Sequence, residues 1–173
     1  MNTRAKHTGM TLAEILMAMA IIATLLASVA VAMKASLSSY KANDEMAAVT
    51  QTARSILSRM DREIRTAEDV NWSSNTLTIL PALDGSGLTQ VQYVFQNGVL
   101  SYKRTVNGTT TAYPLLDSTD RVSLTSFTAS PVSGLNANSQ PCTVSMTTTL
   151  TFRIGDQTFS VTSSAAPRRN QRF

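Results

Sequence analysis

The chain has 173 residues, a formal net charge of +4 and a 43% apolar share, which suits one modest core with an appendage. Its 15 basic side chains are spread along the chain except for Arg168 to Arg172, and no aromatics are interleaved with them, so nucleic acid is not the first-choice partner. The single cysteine, Cys142, excludes an intrachain disulfide and a zinc cluster and is expected as a small, buried or half-buried side chain in a strand.

The apolar residues are unevenly placed. Residues 1–9, "MNTRAKHTG", carry Arg4 and Lys6, and the nineteen residues from Ile15 to Met33 hold no charge and only two polar side chains, Thr24 and Ser28. As a helix that run is about 28 Å long, close to the roughly 30 Å hydrocarbon thickness of a bilayer. Basic residues ahead of such a run tend to stay cytoplasmic, although Lys34 and Lys41 beyond it weaken the bias. Three readings follow. A plain signal anchor explains the hydrophobicity but gives Gly9 and Glu14 no role. A secretory signal peptide explains the basic start, the apolar core and the small pair Ala30 and Ala32, with cleavage after Ala32.

The third reading uses every residue of the stretch. "TGMTLAEILMAMAIIATLLA" resembles the N-terminus of type IV prepilins and pseudopilins, in which a short basic leader ends in Gly and Glu stands fifth in the mature chain. The resemblance makes residues 1–9 the leader, Met10 the first mature residue and Glu14 the fifth. It implies cleavage after Gly9 by a membrane-embedded prepilin peptidase, methylation of the new amino group, and retention of the apolar helix. It also implies that Glu14 of one subunit meets the amine of Met10 on its neighbour. An ionisable residue at a membrane segment points the same way, because it is costly and usually functional. A glutamate that merely snorkels to the interface leaves the coincidence with Gly9 unexplained.

Beyond the run the helical pattern continues. Met46, Val49, Ala53, Ile56, Met60, Ile64 and Ala67 recur at intervals of three and four, giving one apolar stripe. No proline precedes Pro81, and no glycine lies between Gly9 and Gly85. One helix is expected from about Met10 to Ala67, with a possible break near Ser36 to Asn43. Residues 10–34 form its membrane half and 35–70 its amphipathic continuation. The charged stretch "SRMDREIRTAED" reads as a solvated face, with Asp61 and Arg65 a favourable i,i+4 pair.

Residues 71–173 read as an antiparallel β domain with a basic tail. "TLTIL", "VQYVF", "VLSYKR", "TAYPLL", "RVSLTSF", "CTVSMTTTLTFRI" and "QTFSVTS" are the candidate strands. Asn97-Gly98 and Asn107-Gly108 mark hairpins, and Gly155-Asp156 separates the last two strands. Trp72 is expected at the junction of helix and sheet. The fold class is therefore α+β, a long N-terminal helix packed on one antiparallel sheet. This layout is similar to that of J-type minor pseudopilins and related minor pilins.

Little in the sequence points to catalysis. The sole histidine, His7, falls in the leader, no Gly-rich phosphate loop occurs, and "LDGSG" and "DSTD" lack EF-hand spacing. No cofactor and no metal is expected. The resemblance implies a non-enzymatic minor pseudopilin of a type II secretion system. Its partners would be other pseudopilin or pilin subunits, prepilin peptidase, an inner-membrane assembly platform and membrane lipid. The chain would cross the inner membrane once, with its C-terminal domain outside the cytoplasm. A minor pilin serving adhesion or DNA uptake shares every motif, and a soluble exported binding domain released after Ala32 is the rival from another class.

Overall fold

The computed structural model describes residues 10–118, 122–135 and 139–168. Helix α1 spans Leu12–Thr66, and its secondary structure is unbroken through Ser36 to Asn43. The serines and Asn43 are weak helix formers, but with no glycine or proline in the stretch their cost is too small to break the helix. The chain forms two compact units, Met1–Asp44 and Glu45–Phe173.

The described part of the first unit is helix whose large apolar side chains are exposed on every side: Leu16 is 58% exposed, Ile22 55%, Leu26 66% and Val31 70%. Its most apolar window has a mean hydropathy of 2.6 and none of it is buried. By length and composition this helix could cross a membrane.

In the second unit the rest of α1 carries the stripe. Ala53, Ile56, Leu57, Met60 and Ile64 are buried, and Val49 packs against the same core. Eight strands follow among the described residues: β1 (Ala67–Ser73), β2 (Thr76–Pro81), β3 (Leu88–Gln96), β4 (Val99–Val106), β5 (Thr109–Leu116), β6 (Val122–Leu135), β7 (Pro141–Ile154) and β8 (Gln157–Ala165). They build two antiparallel meanders, a five-stranded sheet β1-β2-β3-β4-β5 and a three-stranded sheet β6-β7-β8. The single sheet expected from sequence is thus divided. Both sheets contribute to one core, from Leu77, Ile79, Tyr93 and Leu100 to Phe127, Met146, Leu150 and Phe152.

The turns follow from their residues. Asn97 and Gly98 both adopt positive φ, as do Asn107 and Gly108, the geometry of a type I′ hairpin turn, which few residue types tolerate. Ser74 and Asn75 make the same excursion and close the β1–β2 hairpin. That strand escaped sequence reading because "AEDVNWS" looks like the end of a helix. Consequently α1 stops at Thr66, and Ala67 to Val70, expected as helix, open β1 instead. Ala67 is buried, but as a strand residue. Trp72 lies in β1 with its ring edge-on to Phe127 of β6 at 5.2 Å, so it joins the two sheets rather than a helix to a sheet. Thr143 of β7 adds a second link, donating its hydroxyl to the Val70 carbonyl at 2.9 Å. Cys142 is half-buried in β7.

The charged stretch of α1 is not simply solvated. Arg59 and Glu63 form the ion pair, at 3.2 Å, in place of Asp61 and Arg65. Glu63 accepts hydrogen bonds from the Tyr93 hydroxyl at 2.7 Å and the Tyr102 hydroxyl at 3.5 Å. The Arg59 guanidinium stacks on the Tyr102 ring, 3.9 Å from its centroid. Burial, and then the Glu63 carboxylate, push the Tyr93 phenol far above its ordinary value, so it remains a donor. On the other flank Asp61 accepts from the Ser163 hydroxyl of β8. Residues flanking a buried stripe have side chains long enough to reach strand groups, which a count of alternating charges does not reveal.

Met60 is fully buried, whereas Arg62 is exposed. Met60→Ala should therefore destabilise the second unit by about 2–5 kcal/mol, and Arg62→Ala by less than about 0.5 kcal/mol. Denaturant unfolding of the full chain in detergent, followed by near-ultraviolet dichroism of Trp72, checks both.

Candidate processing and assembly site

The residues singled out from sequence gather at the start of α1. Gly9 lies outside the described residues. Met10 is the first described residue and is 72% exposed, just ahead of the first turn. Thr11 and Glu14 form a reciprocal cap. The Thr11 backbone N–H donates to Glu14 Oε2 at 2.8 Å, its hydroxyl donates to the same oxygen at 3.1 Å, and the Glu14 N–H donates back to Thr11 Oγ1 at 3.3 Å. Ile15 N–H then makes the first helical bond, to the Thr11 carbonyl at 3.2 Å. This is a capping box: Thr at the N-cap and Glu three residues on, each satisfying an amide that the helix start leaves without a partner.

The local sequence explains why the helix begins here. Thr-x-x-Glu directly before an apolar run is a helix-start signature, and Thr11 was the functional residue that sequence reading passed over. The signal lies in the stretch "TLAE", where the capping pair overlaps the cleavage motif. Glu14 thus has a structural role within its own chain. Its carboxylate also offsets the positive end of the helix dipole. Only Thr11 hydrogen-bonds that carboxylate among the described residues, and Oε1 is left available to another group.

An amine created at Met10 would have the opposite relation to the helix. A positive charge just ahead of a helix N-terminus opposes the dipole. The start of α1 therefore places a favourably held acid and an unfavourably placed prospective cation within five residues.

Residues 4–30 match the family model described as the prokaryotic N-terminal methylation motif. The chain carries the prepilin-type N-terminal motif. The match takes in Arg4, Lys6, Gly9, Met10, Glu14 and most of the apolar run. This motif, with a long N-terminal helix on antiparallel sheets, supports a type IV pilin-like or pseudopilin protein. The motif belongs to structural rather than enzymatic proteins. It implies processing by prepilin peptidase and assembly with other pilin-type subunits, and with the apolar helix it points to membrane anchoring. No curated protein and no solved structure gives a significant match to the chain.

No group of three His, Cys, Asp or Glu side chains is placed to hold a metal ion among the described residues. In "LDGSG" the Asp84 carboxylate accepts the Ser86 N–H at 2.9 Å, and the hydrogen bonds from Ser86 hold its carboxyl below the usual range. That is a self-satisfied turn. Asp120 of "DSTD" lies outside the described residues, as does the tail beyond Arg168.

Thr11→Ala removes one half of the capping box. It should weaken the first turn by about 0.5–2 kcal/mol and accelerate amide exchange of residues 12–15 in detergent by about 2- to 30-fold, with no change in the second unit.

Proposed function

We propose that this protein is a minor pseudopilin of a type II secretion pseudopilus, a non-enzymatic subunit that assembles through its N-terminal helix. The observation that carries the reading is the coincidence, within six residues, of the motif's cleavage site and a carboxylate presented by a capped first turn. Residues 1–9 are the leader, residues 10–34 span the inner membrane once, and the sheet domain stands outside the cytoplasm. Prepilin peptidase cuts after Gly9 and methylates the Met10 amine, which keeps its ability to carry charge.

Glu14 of one subunit then meets the Met10 amine of a neighbour. The capping box supports this role because it fixes the carboxylate at the helix start while leaving Oε1 unpartnered. Net stability from the pair is small, since desolvating both charges offsets their attraction. Registry is the better account: an entering helix slides along apolar neighbours until the one acid finds the one amine. Lipid surrounds the helix before assembly, and an inner-membrane platform with its other subunits receives it.

The secretory alternative meets a geometric difficulty. Ala30, Val31 and Ala32 lie inside α1 with helix on both sides, so a peptidase acting after Ala32 would first have to unwind it. A minor pilin of a type IV pilus uses the same N-terminal devices and is the second reading.

Glu14→Ala should still insert and be cleaved, because neither step uses the carboxylate, but should enter filaments poorly. Shearing followed by immunoblotting, with total membrane protein as reference, measures this. Wild-type incorporation of the mutant would end the registry role.

A further inference from the structure

Strand β5 is the outer strand of the five-stranded sheet, and it is unusually open for an edge. Its sequence, "TTTAYPLL", has no charged residue, although sheet edges are commonly guarded by charges; its proline and the bulge in its pairing lie at the far end, beyond Tyr113. The first six of its eight residues are exposed. Pairing alternation shows which backbone groups are unused. The two-residue turn Asn107-Gly108 makes Val106 and Thr109 a hydrogen-bonded pair. The register continues with Thr105 opposite Thr110, Arg104 opposite Thr111, Lys103 opposite Ala112 and Tyr102 opposite Tyr113. Thr111 and Tyr113 therefore turn their N–H and C=O toward β4, while Thr110 and Ala112 turn theirs outward. Pro114 occupies the next outward position and closes the edge there.

Beside this edge, on the face that α1 only partly covers, runs a groove of about 390 Å³ lined by Arg59, Tyr102, Arg104, Thr109, Thr111 and Tyr113 among others. Two guanidinium groups line it and no acid does. Glu63 is not among the lining residues and is engaged by Arg59 and both tyrosine hydroxyls. Asp84 acts on Arg104 only through space and is bound to Ser86.

We propose that β5 accepts an extended segment of a partner protein as a sixth strand, and that the segment carries an acidic side chain facing the Arg59–Arg104 groove. Backbone groups of Thr110 and Ala112 supply the pairing, and the groove supplies the selectivity, as in other strand-addition interfaces. A residue opposite Thr111 falls in line with Thr111 and Arg104, about 5 Å from the first in the strand-to-strand direction, within reach of a long arginine side chain. A carboxylate there gains a charge-assisted hydrogen bond, whereas a lysine meets the like charge of Arg104, Arg59 being already paired with Glu63. The same logic disfavours a second copy: its β5 offers no acid and would bring a second pair of arginines alongside the first.

The full chain in detergent micelles can be titrated against a short fluorescein-labelled peptide of Thr and Val with one central Glu, and against its twin with a central Lys, by fluorescence anisotropy. The Glu peptide should bind about tenfold or more tightly than the Lys peptide, the difference expected of one charge-assisted contact, and the preference should fade with salt. Arg104→Glu, at an exposed side chain, should abolish or reverse the preference. Ala112→Pro deletes an outward N–H without removing a bond to β4, and should weaken both peptides. Equal binding of the two peptides, no binding at millimolar concentration, or a Glu preference that survives Arg104→Glu would overturn the proposal. Self-association of the full chain that Ala112→Pro abolishes would also overturn it, by making a second copy the occupant.

Discussion

Nineteen consecutive uncharged residues, exposed on all sides of their helix, need an apolar surrounding that the described chain does not itself provide. Burying one large apolar side chain is worth about 1.5–3 kcal/mol, and the run from Ile15 to Met33 contains eleven such side chains. Leaving them in water would outweigh the whole stability of an ordinary domain. Lipid can cover them, and so can the equally apolar helices of other subunits. Because the two environments are similar in polarity, transfer between them is governed by packing and by the few polar groups near the helix start. On the proposed function, Thr11, Glu14 and the Met10 amine then carry a discriminating role out of proportion to their number.

The second unit solves a different problem. Its part of α1 shows one apolar stripe to a core built by two small sheets. The polar groups flanking that stripe are tied to strands, Glu63 to Tyr93 and Tyr102 on one side and Asp61 to Ser163 on the other. These contacts fix the rotation of the helix about its axis more than they add stability, since a partly exposed ion pair contributes little while an orphaned buried hydroxyl costs about 1–3 kcal/mol. One helix therefore serves two environments: all-round apolar where its neighbours are interchangeable, and amphipathic with polar latches where one neighbour is specified.

Much of this was readable from the residues. The stripe from Met46 to Ile64, the long helix and the hairpins at Asn97-Gly98 and Asn107-Gly108 each rest on local chemistry, and the structure places them where that chemistry points. The β1 strand was hidden because Glu68, Asp69 and Asn71 have no strand preference. It forms because Val70 and Trp72 gain burial against β6 and β7, a long-range term that no local window contains. The division into two sheets has the same origin. At the helix start the acid was read for its place in the motif, whereas its bond to Thr11 rests on Thr-x-x-Glu ahead of an apolar run, which carries its own mechanism.

On the proposed function, cleavage at the helix start would turn the capped acid into one half of an intersubunit pair, so the first residue of the mature chain is the most direct test. Mass spectrometry of the N-terminal peptide from protein purified out of membranes reads it. The account predicts a chain that begins at Met10 and carries one added methyl group on its amine. A chain that begins at Met33, or one that keeps residues 1–9 in cells with active prepilin peptidase, would contradict it.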